Sequence, residues 1–430
     1  MRTSSALWIR GGRVLDPATG RDEVADVYVV DGRLAAPPAV PPVGVEVVDA
    51  TGLTVVPGLT DVHVHLREPG GEAAETVASG AAAAAAGGFT CIVAMPNTVP
   101  PIDTPERVEQ VLAAGRAACG VRVLTTACLT RDRAGQVVAP LAELAAAGAV
   151  AFTDDGCTVQ SDAVMTEAMR QAAELGLPVM DHAQDRTLEL AGGVMHEGAR
   201  SRAFGLPGIP AEAELRIVAR DLEAAGRTGA AIHIQHVSCG ASVDLIQAAL
   251  RRGVRVTAEG TPHHLYYCED DIDPERPDRF KMNPPLRTAA DRDRLRAAMA
   301  DGTLAILATD HAPHTHEQKQ RGFQAAPFGV VGLETAVGVS YTVLVRAGLM
   351  DRLAWLRAWT TQPAQLLHRP APTLVPGAPA DLVLLDLDRP WTVDPEAFRS
   401  KSRNTAFAGC RLYGRAVATF VDGRRLSVLQ

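Results

Sequence analysis

The chain offers little to a nucleic acid, a membrane or a disulfide framework. Its 42 basic residues are outnumbered by 50 acidic ones, for a net charge of −8. That balance excludes the basic footprint of a nucleic-acid binder. The longest small-residue run, "ASGAAAAAAGG", is far too short to span a bilayer. The opening stretch "MRTSSALWIRGGRVLDP" lacks an apolar core of signal-peptide length. The seven cysteines are odd in number and scattered, with no CxxC pair. They form neither a disulfide framework nor a redox motif, and a reducing cytoplasm is the expected compartment. Aromatics make up 4% of the chain, and helix packing is expected to rest on alanine and other small residues. No GxGxxG stretch follows a strand, which argues against a dinucleotide-binding open sheet. Lysine is nearly missing: there are three, at 281, 319 and 401.

What is present alternates. Eight apolar stretches read as strands: "GLTDVHVHL", "FTCIVAMP", "VRVLTTACL", "AVAFTDDG", "LPVMDHAQD", "AAIHIQHVS", "VRVTAEGTPHH" and "LAILATDHAPH". Helical patterns separate them, among them "TPERVEQVLAAGRAAC", "DAVMTEAMRQAAELG", "AELRIVARDLEAAG" and "SVDLIQAALRRG". Eight strands alternating with helices predict an α/β fold of the (β/α)8 TIM-barrel type over residues 57–365. The flanking segments have another texture, short alternating strands with DG turns, as in "ADVYVVDGRLA" and "AVATFVDGRRL". Residues 1–56 and 366–430 are therefore expected to build one small β-sandwich module from both termini.

Barrel chemistry sits where strands end, and these strand ends are polar. In "DVHVHLREPG", His63 and His65 are two residues apart on a strand, so both point to one face and can grip one ion. The other ends bring Asp154 and Asp155, His182, His233 and His236, and Asp310, His311 and His314. A lone histidine at a strand end is more often an ordinary hydrogen-bonding partner. Five ends converging on imidazoles and carboxylates would be costly to bury without a cation, and the number of candidate ligands points to two ions.

Together these stretches, with "GGFTCIVAMPNT", "MHEGARS", "KMNPPLR" and "APFGVVGLE", resemble the class I dihydroorotases of the amidohydrolase superfamily, in the family's order from about residue 57 to 335. The resemblance implies a zinc enzyme, with two Zn2+ per chain. His63 and His65 would bind the first ion, His182 and His236 the second, Asp155 would bridge them, and Asp310 would be both a ligand and the catalytic acid/base. Arg67, Asn97, Asn283 and His314, with the backbone at Phe328 and Gly329, would hold the substrate. The implied reaction is the reversible closure of N-carbamoyl-L-aspartate to L-dihydroorotate plus water in pyrimidine biosynthesis, with a metal-activated hydroxide as nucleophile in the opening direction. Many superfamily members bridge their metals with a carboxylated lysine; none of the three lysines ends an early or central barrel strand, so the bridge falls to an acid in "FTDDG", Asp155 by position with Asp154 as the alternative. Where relatives show "AHCED", this chain reads "MDHAQD", keeping the histidine and changing its neighbours. Arg67 has a competing reading as a surface ion pair with Glu68, Asn283 one as a turn residue. The segment "HAPHTHEQKQRGFQAAPFG" reads equally as a lid or as a surface loop. The partners implied are a small-molecule substrate, a second copy in a homodimer, and aspartate transcarbamoylase, with no nucleic acid and no membrane.

Overall fold

The computed structural model describes residues 6–40, 42–188 and 192–428. Parallel strands Leu59–Val64, Phe89–Ala94 and Arg122–Thr125 form one sheet, and Val179–Asp181, Ile232–Ile234, Val256–Gly260 and Ile306–Leu307 form another. In the stretch "AVAFTDDG", read as the fourth strand, residues 150–153 exchange backbone hydrogen bonds with both neighbours, and Phe152 bridges Ala127 on one side and Val179 on the other. A parallel bridge from Val64 to His311 joins the last strand to the first. The eight segments thus close into a ring in chain order, as a barrel requires.

The helices fall where the periodicity places them: Pro105–Ala117, Asp162–Leu175, Ala211–Thr228 and Gly240–Arg251. The alanine-rich stretch forms the helix Val77–Gly87, started by Thr76, whose hydroxyl accepts from the Ser79 N–H, and ended by Gly88 at φ 95°. Small side chains let this helix lie close to its neighbours. A Cβ on Gly87 would stand 2.1 Å from the Leu333 carbonyl oxygen.

Two apolar layers result. The larger cluster lies between strands and helices, with Phe89, Phe152, Trp355 and Trp359 fully buried. A smaller one joins Val62, Val93, Met95, Ala151, Met180, Ile306 and Ala308. Those residues come from strands on opposite sides of the ring, so only its interior can bring them together. On four of the strands they precede the polar residues, so the barrel is plugged below and polar at its mouth.

The terminal segments meet as expected, but not as two facing sheets. Hydrogen bonds run without a break from Arg424–Val428 through Arg411–Val421, Leu382–Thr392, Thr54–Pro57, Ala6–Asp16 and Arg21–Val30 to Arg33–Ala35. This is one sheet curled over its own core: Val27, Val29 and Leu34 near one edge share an apolar cluster with Ala418 and Phe420 near the other. Register shifts at Ile9/Gly12, Leu384/Leu385 and Asp386/Pro390 supply the bends. No helix among the described residues is long and apolar enough to cross a membrane.

Candidate metal centre and substrate pocket

The mouth gathers His63, His65 and Asp155 into one group and Asp155, His182 and His236 into a second, with all ligand atoms of each group within 4.8 Å of one another. Asp155 belongs to both. Its Oδ1 lies 3.5 Å from His63 Nε2 and 3.7 Å from His182 Nδ1. Asp310 completes the first group, with Oδ1 2.9 Å from His65 Nε2 and 3.5 Å from His63 Nε2. Asp154 turns away and accepts from the Thr130 N–H and hydroxyl.

The hydrogen bonds behind these side chains show which atoms remain for an ion. His63 Nδ1 is 2.6 Å from Glu259 Oε1, His65 Nδ1 is 2.9 Å from Asn97 Oδ1, and His182 Nε2 is 3.0 Å from Gln184 Oε1. These contacts turn the opposite ring nitrogens, His63 Nε2, His65 Nε2 and His182 Nδ1, toward Asp155 and Asp310 at the centre. Two buried imidazole atoms, His63 Nε2 and His236 Nδ1, have no hydrogen-bond partner. Charge gives the same answer. Burial pulls His63 down, but Glu259, Asp155 and Asp310 outweigh it and hold the ring well above its ordinary pKa. Burial likewise raises Asp155, yet the close imidazoles of His182 and His63 leave it well below the usual carboxylate range. His236 is held well below normal by burial, His182 and His63. Buried carboxylates crowd these imidazoles, and among the described residues no lysine or arginine pairs with Asp155 or Asp310, so a bound cation would balance their charge. The residues fit a metal centre.

Glu259 is the residue that sequence reading missed. It is fully buried, and its two oxygens hold His63 Nδ1 and, at 2.9 Å, His233 Nε2, while Oε1 also accepts the His236 N–H. The available signal was an acid closing the apolar strand "VRVTAEG". His233 and His311, both at strand ends, do not join the centre. His233 is held by Thr257 and Glu259; His311 Nε2 is 3.2 Å from Glu75, and its Nδ1 accepts from Gly332.

Beside the metal groups lies a cavity of about 190 Å³, lined in part by Arg67, Asn97, Asn283, His314, Phe328 and Gly329. Arg67 makes no pair with Glu68, whose carboxylate accepts the Val77 N–H instead. The guanidinium donates to the Pro313 carbonyl, with Nη2 3.4 Å from His314 Nε2. His314 donates to the Phe328 carbonyl at 2.6 Å, and burial with Arg67 and Lys319 pushes its pKa down to about 3, so the ring is neutral. Asn97 donates to Asp155 and Asn283 to Gln184, so both amides brace the metal groups as well as line the pocket. Arg67, His236 and Asp310 hold φ of 60°, 28° and 46°. Such left-handed conformations cost non-glycine residues about 1–3 kcal/mol each and concentrate at functional sites.

The segment after the last strand is neither a free lid nor a plain surface loop. It folds into two short helices, His316–Lys319 and Gly322–Ala325, with Lys319 and Phe323 buried.

Known proteins match this arrangement throughout. A family model described as dihydro-orotase-like matches residues 52–242. The dihydroorotase of Pelotomaculum thermopropionicum is 48% identical over 419 residues, 97% of either chain, and that of Shouchella clausii 46% identical over 422 residues, again 97% of either chain. Among solved structures, the L-hydantoinase (dihydropyrimidinase) of Arthrobacter aurescens superposes with a TM-score of 0.86 at 26% identity, covering 100% of this chain and 98% of that one. The D-hydantoinase (dihydropyrimidinase) of a Thermus species gives 0.84 at 25%, covering 98% and 96%. Near full-length identity of this level, on a barrel whose mouth gathers these histidines and aspartates, shows that the chain belongs to the dihydroorotase family of the amidohydrolase superfamily.

Proposed function

We propose that this chain is a class I dihydroorotase, closing N-carbamoyl-L-aspartate to L-dihydroorotate and opening it again, with a metal pair bridged by Asp155. The observation that carries the class is the membership of Asp155 in both ligand groups, together with the place of the lysines. Each lysine ammonium binds backbone carbonyls, Lys281 that of Gln324, Lys319 those of Lys281, Pro327 and Gly329, and Lys401 that of Glu72, so none serves as the bridge. The same fact weighs against a lysine-bridged hydantoinase, the reading the structural neighbours favour.

Two divalent ions, zinc in this reading, would be held by His63, His65 and Asp310 on one side and His182 and His236 on the other; when bound they polarise the scissile carbonyl and bring water to a pKa of about 7. The remaining chemistry belongs to the side chains. In ring opening, Asp310 takes a proton from the attacking water and returns it to the ring nitrogen as the C–N bond breaks. The new carboxyl then ionises. Closure therefore turns a dianion and one proton into a monoanion and water, and lower pH favours it. Arg67 can fork onto the substrate carboxylate, a geometry lysine does not match, while Asn97, Asn283, His314 and the Phe328–Gly329 backbone fix the rest. Residues 57–365 carry this machinery, and 1–56 with 366–430 form the supporting module.

The test is hydrolysis of L-dihydroorotate before and after chelation, with Asp310→Asn in parallel. Turnover that chelation abolishes, zinc restores and the variant lacks supports the reading. A folded, zinc-loaded chain that leaves dihydroorotate intact and opens a hydantoin overturns it.

A further inference from the structure

Lys319 is 1% exposed, in a stretch, "HTHEQKQ", that reads as solvated. Its ammonium donates to three backbone carbonyls, Lys281 at 3.1 Å, Pro327 at 3.0 Å and Gly329 at 2.8 Å. Three acceptors engage all three N–H bonds of the protonated amine. Among the described residues no carboxylate comes within ion-pair distance of it. Burial, with repulsion from Lys281 and Arg67, pulls its pKa to about 7 against the opposing pull of Asp278. The amine is thus buried among carbonyl dipoles alone, and an apolar side chain in its place would leave those carbonyls without its donors.

What the three carbonyls share is their place. Lys281 stands two residues before Asn283, and Pro327 and Gly329 flank Phe328. The two segments already touch, since the Gly329 N–H donates to the Lys281 carbonyl at 2.9 Å. Gly329 holds φ +125°, and a Cβ there would lie 2.6 Å from that of Ala312. The Lys281 ammonium lies 4.7 Å from the centre of the Phe328 ring.

We propose that Lys319 is a positioning residue whose ammonium clamps residues 281–283 and 327–329 into one pre-formed wall, and so sets the affinity for the anionic substrate without touching the reacting atoms. The proposal rests on the dihydroorotase reading of the pocket. It accounts for a lysine in a chain that otherwise uses arginine: the planar guanidinium fork does not serve three converging acceptors.

The variants are Lys319→Met, Lys319→Gln and Lys319→Arg, with Lys401→Met as control, in the metal-loaded chain. Lys319→Met is expected to raise the KM for dihydroorotate about tenfold or more while kcat and metal content stay near wild type and the unfolding midpoint falls without loss of the folded state. Lys319→Gln, with two N–H donors, falls between; Lys319→Arg does not restore the wild-type KM; Lys401→Met behaves as wild type. Without ligand, hydrogen exchange should quicken in peptides covering 281–284 and 327–331 and in no barrel strand. An unchanged KM, unchanged exchange, a joint fall of kcat and metal content, or failure of both the Met and Gln variants to fold overturns the proposal. If wild type does not open dihydroorotate, the functional reading fails on its own, and the exchange data still decide the clamp.

Discussion

The two sides of the pocket are built from opposite chemistry. One side is His63, His65, Asp155, His182, His236 and Asp310. Among the described residues no lysine or arginine pairs with its carboxylates, and Glu259, Asn97 and Gln184 brace it from behind. The other side is Arg67, Asn283, His314 and the backbone at 328–329, with Lys281 and Lys319 beneath. Arg67 and both lysines lack a carboxylate within ion-pair distance among the described residues. The first side is short of positive charge and the second short of negative charge. A substrate with a polarisable carbonyl at one end and a carboxylate at the other would, in the proposed reading, be held in one orientation, and the two sides should fail differently when mutated.

The largest break is expected at Asp155, the one side chain common to both ligand groups. Asp155→Asn should lower kcat by roughly 10³-fold and release metal; retention of both ions by elemental analysis would contradict the bridging role. Glu259→Gln should act on the same side but indirectly. Metal affinity is expected to fall by about 10–100-fold, while the KM of the fully loaded chain stays put. Arg67→Lys should do the reverse: metal retained, and KM for dihydroorotate raised about tenfold. If Glu259→Gln shifted KM, or Arg67→Lys released metal, the two sides would not be separable.

Much of the first side was legible in the sequence, because its evidence is residue type at strand ends. HxH on a strand, an aspartate pair after "AFT" and an aspartate after "ILAT" are each weak alone and become readable as a site through their convergence and the family resemblance. Its support was not legible. Glu259 reaches His233 on the adjacent strand and His63 on a strand two places away in the ring, and that encounter depends on how the strands are registered. The second side was read through Arg67 and His314, while Lys319 was hidden: its burial depends on carbonyls from two loops brought to it only by the fold. The fourth strand was read through "AVAFTDDG"; its hydrogen bonds to the neighbouring strands run over residues 150–153, and the chain then leaves the ladder to bring Asp155 into the centre. The terminal module was legible as β-structure from both ends of the chain. Its curl was not, since bulges such as Leu384/Leu385 depend on partner strands rather than local composition.

The smallest effect at neutral pH separates the sides by acid. His264 is buried behind the second side, and its Nε2 donates to the Pro284 carbonyl at 2.9 Å, next to Asn283. Burial pushes its pKa down to about 4, against the opposing pull of the Pro284 bond. The unfolded chain, with a histidine pKa near 6.5, binds more protons between pH 4 and 6.5 than the folded one. This group's contribution to stability is therefore whole above about pH 6.5 and is lost as pH falls toward 4, at no more than about 1.4 kcal/mol per pH unit. His264→Asn retains an N–H for Pro284 and has no charge to gain. Its urea midpoint should depend less on pH than that of wild type across this window, with activity at pH 7.5 nearly unchanged. Equal slopes for the two proteins would mean that acid sensitivity arises elsewhere, His196 beside Arg287 being the next group with its pKa pushed down to about 4.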